Sequence, residues 1–206
     1  AKKYLDKLIT LKPNHIGYKI NRNLLIPPIC KTSKEISHFR DEYEKGIEFL
    51  KKYKYLNKSP AQSIGTHFFY LAYHNKDNLK IMKNTSNLFR KMLPNINYIS
   101  KNIKIDKNKD KIKIGFISEF LTNHTIGRIF NGFIKNLNKK KFEVIIFHTP
   151  QTKKGLLKNE IDNAADKVST LSNEITSQHK KIEEENLDIL FYTDIGMSPT
   201  TYFLAF

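Results

Sequence analysis

Residues 112–127 read Ile112-Lys113-Ile114-Gly115-Phe116-Ile117-Ser118-Glu119-Phe120-Leu121-Thr122-Asn123-His124-Thr125-Ile126-Gly127, and here the sequence changes its period. Ile112, Ile114, Phe116 and Ile117 form a short apolar run bounded by charge, the pattern of a strand buried in a parallel sheet. Ile126, Ile129, Phe130, Phe133, Ile134 and Leu137 then recur at helical spacing. Phe142, Val144, Ile145, Ile146 and Phe147 make a second strand. Helices are expected over 156–166 and 173–185, and a further buried strand over 187–192. Strands that alternate with helices imply crossovers and a parallel sheet, half of a doubly wound α/β fold. Ser198 as N-cap and Pro199 at the first helical position open a last element, in which Tyr202, Leu204 and Phe206 are still apolar at the final residue. The expected fold is therefore truncated.

Upstream the periodicity is helical. Leu5, Leu8 and Ile9 stop at Leu11-Lys12-Pro13-Asn14, where Pro13 cannot continue a helix. That stop looks like the seam between tetratricopeptide repeats, and it fits an ordinary helical hairpin equally. Thr32 and Glu35 have capping-box spacing, and Ile36, Phe39, Tyr43, Ile47 and Leu50 follow on one stripe. Ile64, Phe68, Leu71 and Ala72 predict another helix ending near 74–77, and Leu79, Met82, Phe89 and Met92 a further one stopped by Pro94. Residues 101–110 are almost all Lys, Asn, Asp and Ile, a polar connector. The expected organisation is a helical region over 1–105 and an α/β region over 106–206.

With 39% hydrophobic residues, 14 Phe and 10 Tyr, the 206 residues can build a substantial core. The formal charge of +16 invites a nucleic-acid partner, because basic surfaces release counterions from phosphate. Yet only Arg22, Arg40, Arg90 and Arg128 supply the planar fork that phosphates and guanines favour. The remaining basic residues are Lys scattered through every segment, which describes a solvated surface, so nucleic acid is not the expected partner. Cys30 cannot form an internal disulfide; it lies beside Pro27 and Pro28 with no neighbouring His in sequence, and a packed or idle thiol is expected. No stretch reaches the roughly 18 to 20 apolar residues of a membrane span, and the first residues lack the apolar centre of a secretory signal. A cytoplasmic protein without a membrane partner is the simplest expectation.

In open parallel sheets ligands bind at the carboxyl ends of strands. Two loops qualify: Ser118 to Gly127, and Thr193-Asp194-Ile195-Gly196-Met197-Ser198. The first has no glycine between Gly115 and Gly127, which argues against a dinucleotide fingerprint. No Walker-type Gly-Lys-Ser or Gly-Lys-Thr and no Gly-x-Ser-x-Gly elbow occurs, and the seven His residues show no paired spacing for zinc. His124 stands at a predicted helix start, where the macrodipole opposes a positive charge and favours a neutral imidazole that can accept a proton or donate a hydrogen bond. It could equally cap the helix together with Asn123, and spacing leaves both roles open. Gly127 suits close packing or the approach of a ligand. Asp194 can present a carboxylate to a cleft or bond its own loop, and Gly196 permits a sharp turn.

Four segments, in order, carry a resemblance: Ile26-Pro27-Pro28-Ile29 with the helix from Ile36 to Leu50; Phe69-Tyr70-Leu71-Ala72-Tyr73-His74; Ile114-Gly115-Phe116-Ile117-Ser118 through His124; and Asp188-Ile189-Leu190 with Asp194 to Phe206. Together they resemble the SPINDLY-type, O-linked N-acetylglucosamine transferase-like proteins of glycosyltransferase family 41, particularly the bacterial members. The resemblance implies tetratricopeptide-like helices that grip an acceptor protein, followed by the first Rossmann-like half of a two-Rossmann (GT-B) inverting enzyme. Such an enzyme passes a sugar, usually N-acetylglucosamine from UDP, to a Ser or Thr hydroxyl; some relatives modify Asn or use GDP-fucose. His124 matches the family's active-site His, with Asn123, Thr125, Gly127, Asp194 and Gly196 as substrate-binding candidates. No metal or cofactor is implied, and the donor would be held mainly by a second domain beyond Phe206. The sequence departs from the family at Phe120, where relatives carry Asp; Glu119 stands one position early. The alternative is a non-catalytic helical and α/β interaction module whose basic surface binds acidic protein or nucleic acid.

Overall fold

Helix α1 (Lys2–Leu11) ends one residue before Lys12 and Pro13, as Pro13 requires, and α2 (Ile16–Asn23) opens on His15, whose Nδ1 accepts the Tyr18 N–H at 3.2 Å. Thr32 Oγ1 accepts the Glu35 N–H at 3.2 Å to start α3 (Ser33–Leu50). The Glu35 carboxylate takes the Lys31 N–H at 2.6 Å instead of that of Thr32, so the capping box is displaced by one residue. Tyr43, Ile47 and Leu50 of the expected stripe are buried. The buried Tyr43 hydroxyl bonds Thr85 Oγ1 at 3.0 Å, on α5 (Leu79–Met92), whose inward row is Ile81, Thr85, Leu88, Phe89 and Met92. Leu79, expected on that stripe, is exposed.

The helix expected from Ile64 to about 77 is a 3-10 helix (His67–His74), and a short α4 (Pro60–Ser63) precedes it. The reason lies in the spacing of Phe68, Leu71 and His74, its buried residues. They recur every three positions, the period of a 3-10 turn. Asn75, at φ 49°, closes it in the left-handed region. This folding also gives Cys30 the His neighbour that it lacks in sequence: its Sγ lies 3.7 Å from His74 Nε2. Burial and the Glu35 carboxylate push the Cys30 thiol above its usual range, so the contact does not make a thiolate.

The computed structural model describes residues 1–102 and 110–206, in two compact units, Ala1–Asn97 and Tyr98–Phe206. The boundary expected near residue 105 lies outside the described residues. Among those residues, no helix is long and apolar enough to cross a membrane.

The second unit alternates β1 (Ile112–Ser118), α6 (Thr125–Lys135), β2 (Phe142–His148), α7 (Leu156–Ala164), β3 (Lys167–Thr170), α8 (Ile175–Glu183), β4 (Ile189–Tyr192) and α9 (Pro199–Leu204). The four strands are parallel in the order β3-β2-β1-β4. In register, Ile114 stands between Val144 and Ile189. Side chains alternate between faces: Ile114, Phe116, Val144 and Ile146 pack with Leu121, Ile134 and Ile161, beneath α6 and α7. A Cβ on Gly115 would meet Leu187 Cδ1 at 2.7 Å and Phe147 Cε2 at 2.9 Å on the opposite face. Each fully buried side chain of this size stabilises the fold by roughly 1.5–3 kcal/mol.

Three expectations need correction. The helix expected to reach 166 ends at Ala164, and Lys167–Thr170 is an edge strand instead. With one buried position, Ser169, it carries no apolar run to announce it. The strand expected to be buried, β4, is the other edge, and Ile189 and Phe191 remain 43% and 37% exposed. On α6, Ile129 and Phe133 belong to the predicted apolar stripe but are 62% and 50% exposed.

Two stability predictions follow from local geometry. A Cβ on Gly127 would overlap the Thr122 carbonyl oxygen and lie 2.9 Å from Thr122 N and 3.1 Å from Phe120 O, all of them backbone, whereas a Cβ on Gly132 meets nothing within 4 Å. Gly127→Ala is expected to destabilise by about 1–3 kcal/mol and Gly132→Ala, on the same helix, to stabilise by roughly 0.5–1 kcal/mol; urea titrations of both variants check the opposed signs. His179 is buried and stacked 4.6 Å from the Tyr98 ring, with Nδ1 lacking a hydrogen-bond partner among the described residues. Burial pushes its pKa from 6.5 to about 4. Between those values the unfolded chain binds a proton that the fold excludes, so this stability is complete above about pH 6.5 and falls toward pH 4, by about 2–3 kcal/mol. His179→Phe is expected to flatten that part of the pH dependence in denaturant titrations; an unchanged slope would rule out His179 as its source.

Candidate active site

After β1 the chain runs to β2 and β3 on one side and only then crosses to β4 on the other. The loops leaving the carboxyl ends of β1 and β4 therefore stand side by side where the strand order reverses, the place at which open parallel sheets bind their ligands. Both candidate loops identified from the sequence meet there. Asp194, two residues past β4, is buried and accepts a hydrogen bond from Ser118 Oγ, the last residue of β1. Its other carboxylate oxygen accepts from Thr201 Oγ1 at 3.0 Å.

Burial raises the Asp194 pKa, against the opposing pull of the Ser118 and Thr201 hydroxyls, the Ser198 backbone N–H and the nearby His124. The carboxylate faces internal donors on both oxygens. Gly196, at φ 93°, makes the turn that carries the chain from Asp194 back to Ser198. Ser198 Oγ and Thr193 Oγ1 are buried without a partner among the described residues.

His124 is half-buried and caps α6: its Nδ1 accepts the Ile126 N–H at 3.2 Å. This contact fixes the tautomer, since a nitrogen that accepts carries no proton and the neutral ring must hold its hydrogen on Nε2. The ring lies 4.6 Å from that of Phe120. In this state His124 can donate from Nε2; taking up a proton as a base would require surrendering the cap.

The other predicted residues have visible structural occupations. Asn123 Oδ1 accepts the Leu157 N–H at 3.1 Å and so ties the β1 loop to the first turn of α7. Thr125 is exposed at the first position of α6. Gly127 is buried against the backbone of residues 120–122, which makes it a close-packing position.

Sequence reasoning passed over the hydroxyls that line this edge. Thr122 Oγ1 donates to Lys153 O at 2.9 Å, Thr152 Oγ1 to Ser118 O at 3.4 Å, and Thr200 Oγ1 to Gln151 Oε1 at 3.3 Å. Their one sequence signal was position: Thr122 and Thr152 follow the carboxyl ends of β1 and β2 closely, and Thr200 stands near the start of α9. At the end of β2, buried His148 contacts Asp162 Oδ1 at 2.6 Å through Nε2, and burial still holds its pKa below the usual value. A cavity of about 610 Å3 beside β4 is lined by Tyr98, His179, Glu183, Leu190, Tyr192 and Phe206 among others. It includes neither His124 nor Asp194. Among the described residues no three His, Cys, Asp or Glu side chains gather as a metal site.

No protein-family model matches the chain, and no curated protein matches it. Among solved structures it is similar to a mutant of the O-GlcNAc transferase of Thermobaculum terrenum, with a TM-score of 0.63 and 13% sequence identity, covering 99% of this chain and 38% of that one. At that identity the likeness is one of fold. The chain, helical and then α/β with a four-stranded parallel sheet, has a fold distantly like that of a bacterial O-GlcNAc transferase, and it spans 38% of that transferase's length.

Proposed function

We propose that this chain is the helical lead-in and first Rossmann-like half of the catalytic region of an inverting protein glycosyltransferase, with His124 in the cleft where donor and acceptor meet. The observation that carries this reading is the position of His124. It stands on the β1 loop, where the strand order reverses, in a fold like that of an O-GlcNAc transferase. The helical region over 1–105 serves as the acceptor-facing part, and the region over 106–206 forms one wall of the cleft.

The reaction transfers a sugar, with N-acetylglucosamine from UDP as the favoured donor, to a Ser or Thr hydroxyl of a protein. The acceptor oxygen attacks the anomeric carbon as the bond from that carbon to the diphosphate oxygen breaks with inversion, and the hydroxyl proton passes to the departing nucleoside diphosphate. His124 contributes a donor rather than a base, because its Nδ1 is occupied by the Ile126 N–H. An Nε2–H in a partly dehydrated cleft orients an oxygen of the substrate and steadies charge that grows in the transition state. The nucleotide itself is held by residues outside these 206, and the isolated chain is expected to transfer no sugar.

The capping and chemical roles of His124 separate experimentally. Asn is among the strongest N-caps, so His124→Asn keeps the start of α6 closed, whereas His124→Ala opens it at a cost of about 1 kcal/mol. In a protein that carries this chain together with a nucleotide-sugar site, His124→Asn is expected to keep wild-type thermal stability and lose about 100-fold or more in kcat. Full turnover in the Asn variant would reduce His124 to a cap and remove it from the chemistry.

A further inference from the structure

Asp194 entered as a candidate substrate contact, but the bonds around it describe a different task. Its two oxygens are taken by Ser118 and Thr201, so it joins the end of β1 to the start of α9. From Ser118 a series of hydrogen bonds then runs along the β1 loop in steps of two residues. Ser118 Oγ accepts the Phe120 N–H at 2.8 Å. The Phe120 carbonyl accepts the Thr122 N–H at 2.8 Å, and the Thr122 carbonyl accepts the His124 N–H at 2.6 Å. The last step is the cap itself, His124 Nδ1 with the Ile126 N–H at 3.2 Å.

We infer that Asp194, acting through Ser118, is the positioning residue that sets the place and tautomer of His124. The inference rests on the transferase reading for its catalytic consequence, but its structural content stands apart from it. Each of the four steps is a short local bond that leaves little slack. A serine hydroxyl has one proton, and with Asp194 accepting it the oxygen is aimed to receive Phe120. Without that acceptor Ser118 is free to rotate, and the first rung of the series is lost. Thr122 cannot compensate by shifting, because its carbonyl sits directly against Gly127 at the start of α6. The displacement therefore passes on to His124. Asn at position 194 can still accept from Ser118 through its amide oxygen, whereas Ala cannot.

Amide hydrogen exchange tests the pin on the chain by itself. In Ser118→Ala and Asp194→Ala, exchange at Phe120 and Ile126 is expected to speed up about tenfold or more while core amides such as Phe116 and Ile146 keep wild-type rates. Asp194→Asn should restore most of the protection. Unchanged exchange at Ile126 in Ser118→Ala overturns the inference, as does an equal acceleration at every amide, which would make Asp194 a global stabiliser. Ser118→Ala carries the test if Asp194→Ala does not fold.

A second arm uses the protein with its nucleotide-sugar site. Asp194→Ala is expected to lower kcat by about 10- to 100-fold with the donor KM within about twofold of wild type, and Asp194→Asn to recover most of the loss. A kcat that stays at the wild-type value despite faster exchange also overturns the positioning role. If the exchange results hold but the wild-type protein transfers no sugar from any nucleotide donor, the pin stands and the transferase reading fails.

Discussion

Strand β1 is the constraint from which the second unit is built. It is paired on both edges, by β2 and β4, and from Ile114 to Ser118 it is buried. A strand enclosed in this way has satisfied backbone and apolar neighbours on either face, so it cannot present polar chemistry along its length. Its carboxyl end is the place left for it. There the last residue, Ser118, is a buried hydroxyl whose proton must find an acceptor, and Asp194 supplies it. The strand's position thus dictates which two loops must be tied together at the carboxyl edge of the sheet.

Two glycines make that arrangement possible for different reasons. Gly115 lets Leu187 and Phe147 close over the centre of the sheet. Gly127 lets the first turn of α6 sit on the carbonyls of the loop that holds His124. A side chain at either position would force these close-packed elements apart. The apolar flank beside β4 shows the opposite condition. Phe191 contacts Phe116 and Phe130 with ring centroids 5.5 Å apart in each case, yet it stays partly exposed, as do Ile129, Phe133 and Ile189.

Charge has a smaller part than the composition suggests. The formal +16 is carried mostly by exposed Lys, several of them in surface ion pairs such as Lys135–Glu160 and Lys139–Asp166, which stabilise little. The groups whose ionisation matters are buried instead. His179 and His148 are held neutral by desolvation, and Asp194 is kept in place by three hydrogen-bond donors. Burial lowers the imidazole pKa values and raises that of the carboxylate, so each is shifted toward its uncharged form.

Much of the fold was legible in the sequence because periodicity records which face of an element meets the core. Ile114, Phe116, Val144 and Ile146 announced the two central strands; Pro13 and Pro94 fixed where helices stop; Thr32, Ser198 and Pro199 marked where they start. Elements with few buried apolar residues gave no such record, hence β3 was missed, while the segment from Ile64 was read as an α-helix although its three-residue spacing fits the tighter 3-10 turn. The sequence alone determined the presence of a parallel α/β unit behind a helical one, and the two loops on which to look for chemistry. Only the tertiary structure decided that β4 is an edge, that Cys30 meets His74, and that Asp194 spends its oxygens on Ser118 and Thr201. The physical reason is that strand order and long-range hydrogen bonds depend on which distant segments meet, and a one-dimensional pattern records that a residue is buried but not beside whom.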